Sequence, residues 1–168
     1  VGLGRLGGRV AAYGRAFGMD VVAWSANLTD ERCAEVGVRR THDLDGLLAE
    51  SDFVSLHLVL SDRTRGLIGR RELARMKPTA WLVNTSRGPL CDEDALLEAV
   101  RTGVIGGAAL DVFGEEPLPA DHPVRSESQV IATPHIGYVT AEAYAVRYTE
   151  ALEDVLAHLD GSPVRLLT

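Results

Sequence analysis

Apolar residues follow two spacings along this chain, and the two take turns. Near-continuous apolar runs occupy positions 20–24, 52–60, 80–83, 105–112 and 129–132. Runs this short, rich in Val, Ile and Leu and bounded by polar or glycine positions, predict strands. The 52–60 run, Asp-Phe-Val-Ser-Leu-His-Leu-Val-Leu, lacks strict alternation and reads as a strand covered on both faces. The 105–112 run is built of very small residues, so a helix or a flat ring could approach its backbone closely. Between these runs, apolar residues return every three or four positions. They do so over 9–17, at Leu44, Leu47 and Leu48, over 70–76, and at Leu96, Ala99 and Val100. Leu152, Val155, Leu156 and Leu159 form the expected core stripe of a last helix running to about Leu159.

The punctuation agrees with this reading. Thr29-Asp30-Glu31 and Asp92-Glu93-Asp94 place negative charge at helix starts, and Thr140 can cap the last helix. Gly37 and Gly103 close helices, Pro78 stops one, and Gly161 with Pro163 ends the last. Strands alternating with helices predict an α/β fold with a mostly parallel sheet and helices on both faces.

The first seven residues, Val1-Gly2-Leu3-Gly4-Arg5-Leu6-Gly7, read G-x-G-x-x-G and run into a helix and then a strand. In such a unit the first glycine permits a tight turn. The second admits a pyrophosphate to the backbone, and the third lets helix and strand pack closely. The helix start then offers free N–H groups to phosphates. This predicts a Rossmann-type, doubly wound dinucleotide-binding domain over residues 1–160. Its first strand is expected to be truncated, because only Val1 stands before the motif. Ser25 occupies the place, about 20 residues on, where an acid commonly bonds the adenosine ribose. A hydroxyl can bond the ribose without repelling a 2′-phosphate, and no Arg follows at once to hold one. The pattern therefore admits NAD or NADP, with NAD ahead.

Composition narrows the partners. The chain has 168 residues, 46% hydrophobic and 24% charged, ordinary values for one globular domain. A net charge of −7 argues against a nucleic-acid partner, which needs a basic face. No apolar run approaches a membrane span. Cys33 and Cys91 match no metal or redox spacing and read as reduced thiols in a cytoplasmic protein, with no metal site expected.

Three successive strands end in groups able to do chemistry: Arg87, then Asp111 with Glu116, then His135. Parallel strands put their carboxyl ends on the edge where a dinucleotide would lie. Arg is a planar bidentate donor for a carboxylate, and His exchanges protons near neutral pH. A carboxylate beside the imidazole would orient it and favour its charged form. Blander readings stand alongside: Arg87 as a surface ion-pair residue, Glu116 in a solvated acidic loop, His135 capping a strand. His57, inside an apolar run, reads as a satisfied strand histidine rather than a catalyst.

Taken in order, these pieces resemble the D-isomer-specific 2-hydroxy acid dehydrogenases, over nearly the whole chain. The resemblance rests on Gly2-Leu3-Gly4-Arg5-Leu6-Gly7, Ala16-Phe17-Gly18-Met19, His57 with Thr64-Arg65-Gly66-Leu67-Ile68-Gly69, and Met76-Lys77-Pro78. It continues through Val83-Asn84-Thr85-Ser86-Arg87-Gly88, Ala109-Leu110-Asp111-Val112-Phe113, Glu116-Pro117-Leu118-Pro119 and Thr133-Pro134-His135-Ile136-Gly137. It implies hydride transfer between NAD(P) and a 2-hydroxy or 2-keto acid, with Arg87 anchoring substrate, His135 as acid/base and Glu116 as its partner. Asp111 would lie on the nicotinamide side. Cofactor contacts are implied for Gly2, Gly4, Arg5, Leu6, Gly7, Ser25, Leu58, Thr64, Thr85, Ser86, Arg87, Asp111, His135 and Gly137. A homodimer is implied as well.

Departures from the family pattern are Ser25, in place of the usual Asp, and Val59, where Pro usually follows. The family's substrate domain is largely absent, with residues 161–168 at most beginning the return to it, so this stretch alone is expected to be inactive. The rival class is a nucleotide-binding module or regulator without chemistry. A formate dehydrogenase-like activity is a lesser rival that Glu116 speaks against, since the resemblance there calls for Gln.

Overall fold

The structure, a computed structural model, describes residues 1–166. Leu167 and Thr168, the end of the 161–168 segment, lie outside the described residues. The chain forms two compact units, Val1–His135 and a second beginning at Ile136.

In the first unit, α1 (Arg5–Ala16) leads to β1 (Val22–Ala23), α2 (Asp30–Val36) and β2 (Arg39–Arg40). Next come α3 (Leu44–Glu50), β3 (Phe53–Leu56), α4 (Arg70–Leu73), β4 (Trp81–Asn84), α5 (Glu93–Arg101), β5 (Gly107–Leu110) and β6 (Val130–Ala132). Thr29 accepts a backbone N–H at the start of α2 and Gly37 closes that helix with φ 74°, as the sequence predicts; Asp43 and Asp92 also accept a backbone N–H at the starts of α3 and α5.

All strand pairs are parallel. β1 pairs with β2, and β3-β4-β5-β6 form a four-stranded sheet flanked by helices. Val1 and Gly2 stitch the two sheets together. The Gly2 N–H donates to the Trp24 carbonyl at 2.8 Å, and the His57 N–H donates to the Val1 carbonyl at 2.8 Å. The Val1 amine donates to the Ser55 carbonyl at 2.7 Å. Gly2 sits at φ +90°, where a side chain is strained, and a Cβ on Gly7 would lie 2.0 Å from the Gly2 carbonyl oxygen. The tight turn and the helix that follows it thus need glycine at both places.

Two hydrophobic clusters result. The larger joins α3, α4 and α5 to Val54, Leu56, Leu82, Ala108 and Leu110, and holds Cys91. The smaller joins α1, β1 and α2 and holds Cys33. Both cysteines are free and buried, and burial pushes the Cys91 thiol up to about 12.

Two expectations need correction. The 52–60 run is a strand only over Phe53–Leu56, and its faces differ: Val54 and Leu56 are buried, whereas Phe53 is 60% exposed. An apolar run reveals that a strand can be covered, not that the unit carrying it covers both sides. The second correction concerns the second unit, in which α6 (Ala141–Leu159) starts at the Thr140 cap as predicted. None of its residues is buried, and Leu152, Val155, Leu156 and Leu159 are all exposed. Helical spacing identifies an apolar face without identifying what meets it. Within this unit Arg147 stacks on Tyr138 at 4.5 Å, and Arg165 pairs with Glu153 and Asp154.

Burial makes stability depend on pH. His57 is pushed down from 6.5 to about 4, by burial first. It binds fewer protons folded than unfolded, so stability rises with pH from about 4 to 6.5. Urea midpoints should therefore climb between about pH 4 and pH 6.5.

Candidate active site

The register of the four-stranded sheet aligns Leu56, Asn84, Leu110 and Ala132 in one row at the strands' carboxyl ends. His57, Ser86 with Arg87, Asp111, and Thr133 with His135 follow that row, so they share one edge of the sheet.

The turn after β4 is held from beneath. Asn84 is buried at 1% exposure. Its side-chain amide donates to the Arg87 carbonyl at 2.9 Å, and its side-chain oxygen accepts the Ser86 N–H at 3.1 Å. The Ser86 hydroxyl donates to the Leu56 carbonyl at 2.6 Å, tying the turn to β3. Thr85 and Arg87 are exposed on it, and the Arg87 guanidinium donates to the Ser86 carbonyl at 2.6 Å. Gly88 then passes so close to the next loop that a Cβ would lie 2.1 Å from the Phe113 carbonyl.

That loop carries the carboxylates. Asp111 is buried and accepts the Thr133 hydroxyl at 2.5 Å, bracing β5 against β6. Glu116 accepts the Phe113 N–H at 2.9 Å with one oxygen and meets His135 Nδ1 at 2.6 Å with the other. Burial raises the Glu116 carboxyl, but the bonds from His135 and Phe113 and the charges of His135 and Arg87 outweigh it, and the carboxyl is held low. Glu93, at the start of α5, accepts the Gly114 N–H at 3.1 Å and pairs with His122 at 2.8 Å, fixing the same loop from outside. His135 itself sits at φ 54°, a left-handed conformation that aims its ring at the loop.

The structure therefore brings Glu116 and His135 into contact and places Arg87 where its charge acts on Glu116. His57 follows β3 on the same edge, one residue past the strand, and its Nε2 lies 2.9 Å from the Ser55 hydroxyl, so it is a satisfied histidine but not one within the strand.

The cofactor-binding candidates form a second group. Gly4 precedes α1 with no side chain capping the helix and no acid in its first turn, which leaves the N–H groups around Arg5, Leu6 and Gly7 for an anion. A Cβ on Gly4 would meet nothing within 4 Å, so the backbone is open to a close ligand. Ser25 lies half-buried just past β1. Leu58 packs on the larger cluster, close to Gly2. Thr64 directs its hydroxyl into its own loop, donating to the Val59 carbonyl at 2.7 Å. Gly137 lies in a turn of the second unit.

Sequence reasoning missed the supports. Arg32 of α2 donates to the Leu3 carbonyl at 3.0 Å and holds the glycine loop, though nothing in the spacing links the two. Asn84, Glu93 and Thr133 were legible only as polar residues beside strand or helix ends.

The family model described as D-isomer specific 2-hydroxyacid dehydrogenase, NAD binding domain, matches residues 1–137. The chain is 45% identical over 168 residues to the D-3-phosphoglycerate dehydrogenase of Synechocystis sp., covering 98% of this chain and 29% of that protein. It is 45% identical over 161 residues to the glyoxylate reductase of Aeropyrum pernix, covering 96% of this chain and 48% of that protein. A solved phosphoglycerate oxidoreductase from Vibrio cholerae superposes with a TM-score of 0.89 at 35% identity, covering 95% of this chain and 51% of that one. The chain thus spans about half, or less, of the relatives it matches.

Asn84→Ala should strand the Ser86 N–H and the Arg87 carbonyl in a partly buried turn. Each buried group left without a partner costs about 1–3 kcal/mol. The variant should lose stability in that range by urea denaturation, and Asn84→Asp should not restore it, because a carboxylate cannot donate to Arg87.

Proposed function

The chain belongs to the D-isomer specific 2-hydroxyacid dehydrogenases, and on that premise we propose that it is the cofactor-binding half of an oxidoreductase interconverting a D-2-hydroxy acid and a 2-keto acid. The observation that carries the reading is the 2.6 Å pair between His135 and Glu116 on the strand edge that also bears Arg87.

The residues fit a nicotinamide dinucleotide. The open face of Gly4 and the uncapped start of α1 would take the pyrophosphate, and Ser25 would bond the adenosine ribose. Asp111, Thr85 and Ser86 stand on the edge where the nicotinamide end would lie. The cofactor, when bound, supplies or accepts the hydride. Arg87 binds the substrate carboxylate in a bidentate pair. His135 takes the hydroxyl proton in oxidation and returns it in reduction. Glu116 engages Nδ1, which makes Nε2 the nitrogen facing substrate and steadies the charged ring. We take NAD as the preferred cofactor, since no Arg follows Ser25 to pair a 2′-phosphate.

The protein acts as a homodimer in this reading. Leu6, Val10 and Tyr13 of α1, with Phe17 just past its end, support it, forming an exposed stripe at 67%, 41%, 64% and 83% exposure. The free, buried Cys33 and Cys91 support a reducing, cytoplasmic setting. The 168 residues by themselves would bind cofactor without turnover, because their one sheet edge supplies only part of a closed, water-excluding site.

Calorimetry tests the first half: the chain should bind NADH more tightly than NADPH. Gly4→Val should weaken binding at least tenfold while changing the melting temperature little, since its side chain fills only the ligand's space. Turnover tests the second half, in a protein that joins this chain to a substrate domain. There His135→Ala should lower kcat by ~10²–10⁴-fold with cofactor affinity intact. Arg87→Lys should chiefly raise KM for the keto acid. A His135→Ala enzyme of undiminished kcat would overturn the assignment.

A further inference from the structure

Arg32 stands on α2, outside the glycine motif, yet its guanidinium is engaged with the motif's backbone. Nε donates to the Leu3 carbonyl at 3.0 Å, Nη2 to the Gly4 carbonyl at 3.4 Å and Nη1 to Glu35 at 2.7 Å. Each of its three nitrogens has a partner, and Glu35 holds the end of the fork that the loop does not use. Gly8 leaves room for this reach, since a Cβ there would stand 3.0 Å from Nη2. Arg15 of α1 donates in return to the Val36 carbonyl at the end of α2, at 2.9 Å. The two helices are thus clasped at two places, and α2 gives Arg32 a fixed base.

A peptide unit is planar and trans, so its C=O and N–H point in opposite directions. A carbonyl held on Arg32 therefore fixes where the next N–H points. The grip on Leu3 turns the Gly4 N–H away from the guanidinium, and the grip on Gly4 does the same for the Arg5 N–H. Among the described residues, neither N–H has an acceptor. Without the grip, Gly4 has no side chain to restrict its backbone, and these two groups would sample many directions. We propose that Arg32 is a positioning residue for cofactor binding: by gripping two successive carbonyls of the glycine loop, it presets the N–H groups that receive the pyrophosphate. This rests on the cofactor reading above and adds to it a residue that does not touch the ligand. Its nitrogens are already engaged, so it acts through the loop. The gain is one of preorganisation, because a loop fixed beforehand loses less freedom when the anion arrives.

The test titrates the 168-residue chain with ADP-ribose and, separately, with adenosine. ADP-ribose carries the pyrophosphate, and adenosine carries no phosphate. Arg32→Met should weaken ADP-ribose binding about tenfold, the scale of one charge-assisted hydrogen bond, and leave adenosine binding unchanged. Arg32→Lys keeps the charge without the fork and should recover only part of the loss. Unchanged ADP-ribose binding in Arg32→Met would overturn the proposal. So would an equal loss for both ligands, which a merely loosened fold would give. Full recovery by Arg32→Lys would leave charge as the sole cause and overturn it too. A wild-type chain that bound no ADP-ribose would overturn the cofactor reading itself, an outcome distinct from the other three.

Discussion

The parallel register of β3 to β6 is the constraint on which the site depends. Because Leu56, Asn84, Leu110 and Ala132 lie level, four chain exits open on the same edge. Residues separated by as many as 48 positions, Arg87 and His135, then need only short loops to act together. A slip of one residue in any pairing would turn a strand's buried side chains to the other face and carry its exit out of line. Hydrophobic burial of Val54, Leu82 and Ala108 therefore holds the chemistry in place without touching it.

Two further devices refine that placement. The first is close backbone approach, at Gly2 against Gly7 and at Gly88 against Phe113, which sets loops at distances no side chain would allow. The second is a chain of polar supports beneath exposed groups. Asn84 shapes the turn under Arg87, Asp111 accepts from Thr133 two residues before His135, and Glu93 anchors the loop that presents Glu116. The exposed members can meet a ligand because the buried members leave the backbone little freedom. Glu116 shows the electrostatic balance that results: partial burial alone would favour its neutral form, and the surrounding donors and cations keep it charged.

Much of this was legible in the sequence, and the rest was hidden for identifiable reasons. The order of the helices and of every strand but β2, the caps at Thr29 and Thr140, and the likeness to the dehydrogenase family follow from local patterns, which chain chemistry dictates directly. The grouping of Glu116 with His135 was readable as an expectation because parallel topology restricts where strand ends go. Arg32 was not readable: its bond to Leu3 spans 29 positions and has no spacing rule. The stripe on α6 and the open face at Phe53 misled for a common reason. Periodicity records that a surface is apolar, and burial requires a neighbour that periodicity does not name.

The two cysteines have a use beyond their packing. One thiol is sealed in each hydrophobic cluster, Cys33 in the smaller and Cys91 in the larger. A thiol-modifying reagent reacts with the ionised sulfur only when it is exposed. Each cysteine is thus a built-in clock for the opening of its own cluster. Their relative labelling rates would distinguish a domain that breathes as one body from one in which the glycine-loop half opens first.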